Sequence, residues 1–249
     1  MPHDHAVRPA ASRTAAGVPL LALAGLVVLL GALTATIGVR PTGWLAGMAV
    51  GVTTCVLVTR PGDGPLTRAD RVTLARAMLV AAVTALVVDG LFVPVPVGVL
   101  VPLTCLALVL DFVDGRVARR AGQVTARGAR FDMETDAFLI LVLSLHAGAT
   151  LGWWVLAIGV MRYAAWAAAA LVPALRRPVP PRYWRKVVAA VQGVTLTVVA
   201  AQVLPRSVST VAVVVALALL VESFGRDIVR QLFPSVAPAP RPAPARGGT

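Results

Sequence analysis

The sequence predicts an all-α membrane protein: a polytopic bundle of eight spans, in which a two-helix hairpin precedes a six-helix core. Three observations predict it. Of 249 residues, 58% are hydrophobic, and mean hydropathy is +0.83. Only 14% are charged, against roughly a quarter in soluble domains. The apolar residues fall in runs close to the ~20 residues that cross a bilayer, parted by Gly, Pro and charged breaks.

The polar N-terminus, 1–14, carries Arg8 and Arg13. GVPLLALAGLVVLLGALTATIGV, 17–39, makes the first span. It exceeds the 7–15 residues of a signal-peptide core, which favours a retained helix. TGWLAGMAVGVTTCVLV, 42–58, returns, completing a hairpin within 15–60. RPGDGPL breaks the chain, and Thr67 with Asp70 forms a [ST]-x-x-[DE] capping pattern for the next helix. Six further spans are predicted near 72–89, 94–113, 131–148, 152–173, 187–204 and 208–224, inside a core at 61–230. The breaks between them are DG at 89–90, the charged stretch 114–130, AGATLG, RRPVPPRYWRK and LPRS. The Pro/Ala-rich tail, 231–249, has no hydrophobic period and reads as disordered. Cys55 and Cys105 sit singly in apolar spans, as small buried residues rather than a metal motif or a disulfide framework.

A net charge of +12 raises nucleic acid as a partner. Its distribution excludes that reading. With the N-terminus in the cytoplasm, all but three of the 23 Lys and Arg fall on that side. Arg40 and Arg206 fall opposite, and Arg162 lies inside a span. This is the positive-inside pattern, so the basic residues serve topology and contact with anionic membrane lipids.

One stretch breaks the apolar rule. DFVDGRVARRAGQVTARGARFDMETD starts at Asp111, between two apolar runs. Asp111, Asp114 and Ala118 share one helix face at i, i+3, i+7; Asp132 and Asp136 share another at i, i+4, with Glu134 turned away. Gly122 and Gly128 bracket a short polar connection, so the two helices are expected to be antiparallel neighbours with their carboxylates converging at the membrane boundary. Like charges so placed need protonation, arginine partners or cations. Aspartate oxygens suit hard divalent ions, and paired ions are a device for holding phosphoryl oxygens. A charge-laced loop capping two spans explains neither the helical spacing nor the small residues Gly115 and Ala118 beside the aspartates.

Asp111, Asp114, Gly115, Ala118, Arg119, Gly128, Asp132 and Asp136 spell D-x2-D-G-x2-A-R-x8-G-x3-D-x3-D. This resembles, without departure, the signature of the CDP-alcohol phosphatidyltransferase family. The resemblance covers about 67–230. It implies a six-helix membrane core, commonly a homodimer; the positive-inside pattern adds a site facing the cytoplasm, expected in a plasma membrane of bacterial type. It implies a phosphatidyl or related transfer from a CDP-linked donor to an alcohol acceptor, releasing CMP, in phospholipid biosynthesis. By resemblance Asp111, Asp114, Asp132 and Asp136 hold two Mg2+ or Mn2+ ions, and Asp136 is the general base. Gly115, Ala118 and Arg119 line the nucleotide site with Asp111 and Asp114.

DRVTLARAML, 70–79, is similar to the family's N-x-x-T-x-x-R entry to its first core helix, with Asp70 where asparagine is usual. Thr73 is a nucleotide candidate and Arg76 an acceptor or phosphate candidate. Arg162, within a span, joins that group, able to reach a phosphate or pair with a carboxylate. So do Arg182, Arg185 and Lys186, which positive-inside anchoring would require equally. Trp153, Trp154, Trp166 and Trp184 read as interface aromatics. The competing classes are a transporter and a non-catalytic family scaffold. A transporter would place its charges near the midplane and carry an internal repeat, whereas these charges cluster at one face. The intact signature speaks against a scaffold.

Overall fold

The computed structural model describes residues 12–59, 66–120, 125–176 and 183–233; the side chains of 12–16, 68, 113–120 and 126 lie outside that description. Its elements are α1 (Ser12–Ile37), α2 (Pro41–Val58), α3 (Arg68–Asp89), α4 (Val97–Arg120), α5 (Ala126–Leu151), α6 (Leu156–Leu171), α7 (Tyr183–Ala200) and α8 (Arg206–Leu232). Single tighter turns at Trp153–Val155 and Pro173–Arg176 flank α6, and no strand occurs among the described residues. The protein is an all-helical polytopic bundle.

Among the described residues, six helices are long and apolar enough to cross a membrane: Gly17–Ile37, Pro41–Val58, Ala69–Asp89, Arg127–Leu151, Trp153–Leu171 and Arg206–Leu232. The other two expected spans fall on α4 and α7 and come up short. α4 starts only at Val97, because Pro94 and Pro96 hold the preceding chain out of helix, and its apolar part ends at Phe112. α7 gives its first turn to Arg185 and Lys186.

The charged stretch 114–130, expected as a break, is mostly helix. α4 runs on to Arg120 and α5 begins at Ala126, so Gly128 lies in the first turn of α5 rather than at the edge of a loop. Arg and Ala are good helix formers, and Thr125 caps α5 by accepting from the Gly128 N–H at 3.0 Å. α8 likewise continues through Glu222, Arg226 and Asp227 to Leu232, past the expected end near 224.

α3 is the axis of the bundle. It packs against α1, α2, α4 and α5, and its face from Ala77 to Val87 is almost wholly buried. Gly43, Gly47 and Gly51 form a small-residue stripe on α2 at helical spacing. A Cβ at Gly43 would stand 2.7 Å from the Ala85 carbonyl oxygen, and one at Gly47 would stand 3.0 Å from that of Ala81. Only glycine lets the two backbones come this close. On the other side, α5 packs against α6 and α7, and α7 against α8 and α4. Among the described residues, α4 and α5 are not the close neighbours their short connection suggests: each packs on α3 and on α7. Cys55 is buried as expected, while Cys105 is exposed on the outside of α4.

Candidate active site

The site is built at the end of the bundle where α3, α5 and α7 begin and α4 ends. The capping box expected from Thr67 and Asp70 is present. Asp70 N–H donates to Thr67 Oγ1 at 3.1 Å, and the Thr67 N–H donates to Asp70 Oδ2 at 2.9 Å. Asp70 is 1% exposed. Burying a carboxylate so fully requires a partner, and Arg127 of α5 supplies one, donating to Asp70 Oδ2 at 3.0 Å. The next residue, Gly128, lets the first turn of α5 close over the same carboxylate. A Cβ there would meet Asp70 Oδ1 at 2.7 Å. The signature glycine is thus a point of backbone approach that fixes α5 against α3.

With these two helices tied at their starts, the next turns align. Thr73 is buried, its hydroxyl donating to the Ala69 carbonyl at 3.2 Å. One turn on, Arg76 is 1% exposed and faces three aspartates. One guanidinium nitrogen pairs with Asp111 Oδ1 of α4. The other lies 2.5 Å from Asp132 Oδ1 and 3.1 Å from Asp136 Oδ1, both of α5, and also donates to the Asp132 carbonyl at 3.2 Å. Carboxylate oxygens of Asp111, Asp132 and Asp136 all lie within 4.8 Å of one another. Near a protein surface, two like charges about 4 Å apart repel by about 4 kcal/mol. Solvent reaching about a third of each aspartate side chain screens part of that. Arg76 offsets more.

The oxygen-only donor set and its spacing fit a hard divalent cation, whose ligand oxygens lie about 2.0–2.6 Å from the ion. Asp114, Gly115, Ala118 and Arg119 fall on the last turns of α4, where the side chains are outside the description. Arg182 is outside the described residues altogether.

The remaining expected residues have different partners. Glu134 does face away from the triad, and it pairs across to α6 with Arg162 at 2.5 Å. Arg162 therefore meets a carboxylate on the opposite face of α5 from the site. Arg185 lies 3.5 Å from Asp227 of α8. Beside it, the Trp184 indole N–H donates to Glu222 Oε2 at 3.1 Å, and Glu222 pairs in turn with Arg226. These contacts join the starts of α7 and the end of α8 next to Lys186.

A family model described as CDP-alcohol phosphatidyltransferase matches residues 66–222, more than half of the chain. The chain belongs to the CDP-alcohol phosphatidyltransferase family. Neither a curated protein nor a solved structure matches it. Membership carries transferase chemistry between a CDP-alcohol donor and an alcohol acceptor, and all three converging aspartates lie inside the matched region. The part of the candidate site that sequence reasoning missed is the place of Arg76. Its spacing from Thr73 put it on the right helix face, but not between the aspartates of two other helices.

Proposed function

We propose that the protein is a metal-dependent phosphotransferase of phospholipid biosynthesis, moving a phosphatidyl or related phospho-alcohol group from a CDP-linked lipid or alcohol to an alcohol acceptor and releasing CMP. The observation that carries the reading is the meeting of Asp111, Asp132 and Asp136, from two helices, within 4.8 Å. Asp111, Asp114, Asp132 and Asp136 would hold a pair of Mg2+ or Mn2+ ions. Bound there, such ions supply neutralisation of the diphosphate and of the charge that develops on CMP.

The chain's own residues do the rest. Asp136 accepts the proton of the acceptor hydroxyl. The acceptor oxygen then forms its bond to the phosphorus of the retained group as the bond to CMP breaks. Thr73, Gly115, Ala118 and Arg119 line the nucleotide. Arg182, Arg185 and Lys186 offer cationic donors to a phosphate on the acceptor side, and Arg185 and Lys186 stand in the first turn of α7, at the end of the bundle where α3 and α5 begin. Arg76 faces the carboxylates from inside the bundle, and Arg162 is held by Glu134.

The catalytic core is assigned to 61–230, supported by the family match over 66–222. The polar segment 1–14 and hairpin 15–60 precede it, and the tail 231–249 follows. The assembly is a homodimer in a plasma membrane, in contact with its lipids, with the site toward the cytoplasm, in keeping with the positive-inside pattern.

Purified protein given labelled CDP-diacylglycerol, Mg2+ or Mn2+, and a panel of alcohols such as inositol phosphate, glycerol phosphate and serine is expected to release CMP with one acceptor. Chelation should stop it. No CMP with any acceptor, beside a working family member, overturns the reading.

A further inference from the structure

Arg76 is enclosed, and the three aspartates it is seen to meet are not. Its side chain is 1% exposed, whereas those of Asp111, Asp132 and Asp136 are 37%, 35% and 37% exposed. The guanidinium therefore approaches the carboxylates from inside the bundle, and their open side faces away from it. It meets Oδ1 of all three. A carboxylate offers two oxygens and about four lone-pair sites, and about a third of each aspartate side chain stays open to a ligand from outside. A planar fork of donors suits this arrangement, and a single ammonium does not.

The charges point the same way. Three carboxylates that close repel one another, and one buried arginine cancels only part of their charge. Enough remains to attract a divalent cation, yet the cluster does not depend on that cation to stay together. We infer that Arg76 is a built-in counter-ion of the carboxylate cluster, holding it assembled before any ion arrives. It is a positioning residue for the metal ligands, not a ligand of the transferred phosphate. The inference rests on the reading of these aspartates as ion ligands, but its test needs no turnover.

The experiment is thermal unfolding of the whole protein in detergent, first in chelator and then across a Mn2+ titration, for wild type and Arg76→Gln. Without the guanidinium, the metal-free variant keeps three facing carboxylates that have lost their buried counter-ion. It is expected to melt several degrees below wild type in chelator. Mn2+ then takes over the lost charge, so the shift that Mn2+ produces should be larger in the variant and recover most of the deficit. An arginine that merely filled space would lower both curves alike. An equal Mn2+ shift in the two proteins, or no deficit in chelator, overturns the inference. If Arg76→Gln does not fold, Arg76→Lys carries the same comparison: a Mn2+ shift above that of wild type supports the claim, and an equal one defeats it. A wild type unaffected by Mn2+ in a variant-sensitive assay would sink the ion reading of the aspartates while leaving the chelator comparison to judge Arg76.

Discussion

Gly128 and Asp70 touch, backbone against carboxylate: a methyl group added at Gly128 would stand 2.7 Å from Asp70 Oδ1 and 3.0 Å from Thr125 Oγ1. Neither atom is free to retreat. Asp70 is held by Arg127 and by its own helix cap, and the Thr125 hydroxyl caps α5. Alanine favours helix over glycine by about 1 kcal/mol, and a contact this short outweighs that gain.

Gly128→Ala is therefore expected to lower the melting temperature and to cut turnover by about tenfold or more, since a 1 Å misplacement of reacting groups can cost on the order of 100-fold. In an Asp70→Ala background the same change should cost less, because the collision is gone. Unfolding curves and CMP release for the two single variants and the double variant measure this, and additive losses would contradict the proposed contact.

Asp136→Asn keeps an oxygen facing Arg76, which stands 3.1 Å from Asp136 Oδ1. The fold should survive it. The amide cannot accept the acceptor's proton, so CMP release is expected to fall by about 100- to 10,000-fold, the usual worth of a general base. Binding of a CDP-linked nucleotide should persist, because Asp111, Asp114 and Asp132 remain. Normal turnover by this variant would remove Asp136 from the base role.

Much of this site was legible in the sequence because its spacing is local. Asp132 and Asp136 share a face by helix periodicity alone, as do Asp111 and Asp114, and Glu134 is turned away by the same rule. The Thr67 cap was legible for the same reason. The place of Arg76 was not, since it depends on α3 lying between α4 and α5, a matter of packing across three helices. The extent of α4 was hidden differently. Hydropathy stops at Phe112, but helix propensity carries Arg116 to Arg120 onward. The exposed Cys105 shows the same gap, because an apolar span does not say which of its faces meets another helix.

Arg162 and Glu134 make a pair on the far side of α5 from the triad. It is only partly buried, with side chains 31% and 50% exposed, so its net worth is expected to be at most about 1 kcal/mol. Arg162→Gln and Glu134→Gln should each cost a similar small amount of stability, and the double variant should cost little more than either. Neither should raise KM for the acceptor. A rise with Arg162→Gln alone would return Arg162 to the acceptor site.

The glycine stripe of α2 gives a graded test of how α3 is held. A Cβ at Gly43 meets the Ala85 carbonyl oxygen at 2.7 Å, whereas one at Gly51 first meets Leu26 Cδ2, the far end of a flexible side chain. Backbone cannot step aside as a leucine tip can, so the two sites should differ: Gly43 meets the α3 backbone, Gly51 the side chains of α1. Gly43→Ala is expected to destabilise by about 1–3 kcal/mol, the usual range for overpacking, and Gly51→Ala by clearly less. Ala85 lies nine residues beyond Arg76, about 14 Å along the helix. Gly43→Ala should therefore lower the melting temperature in detergent while leaving KM for the nucleotide donor near its wild-type value. If Gly51→Ala proved the more damaging of the two, the close passage of α2 over the α3 backbone would not be what holds the two helices together.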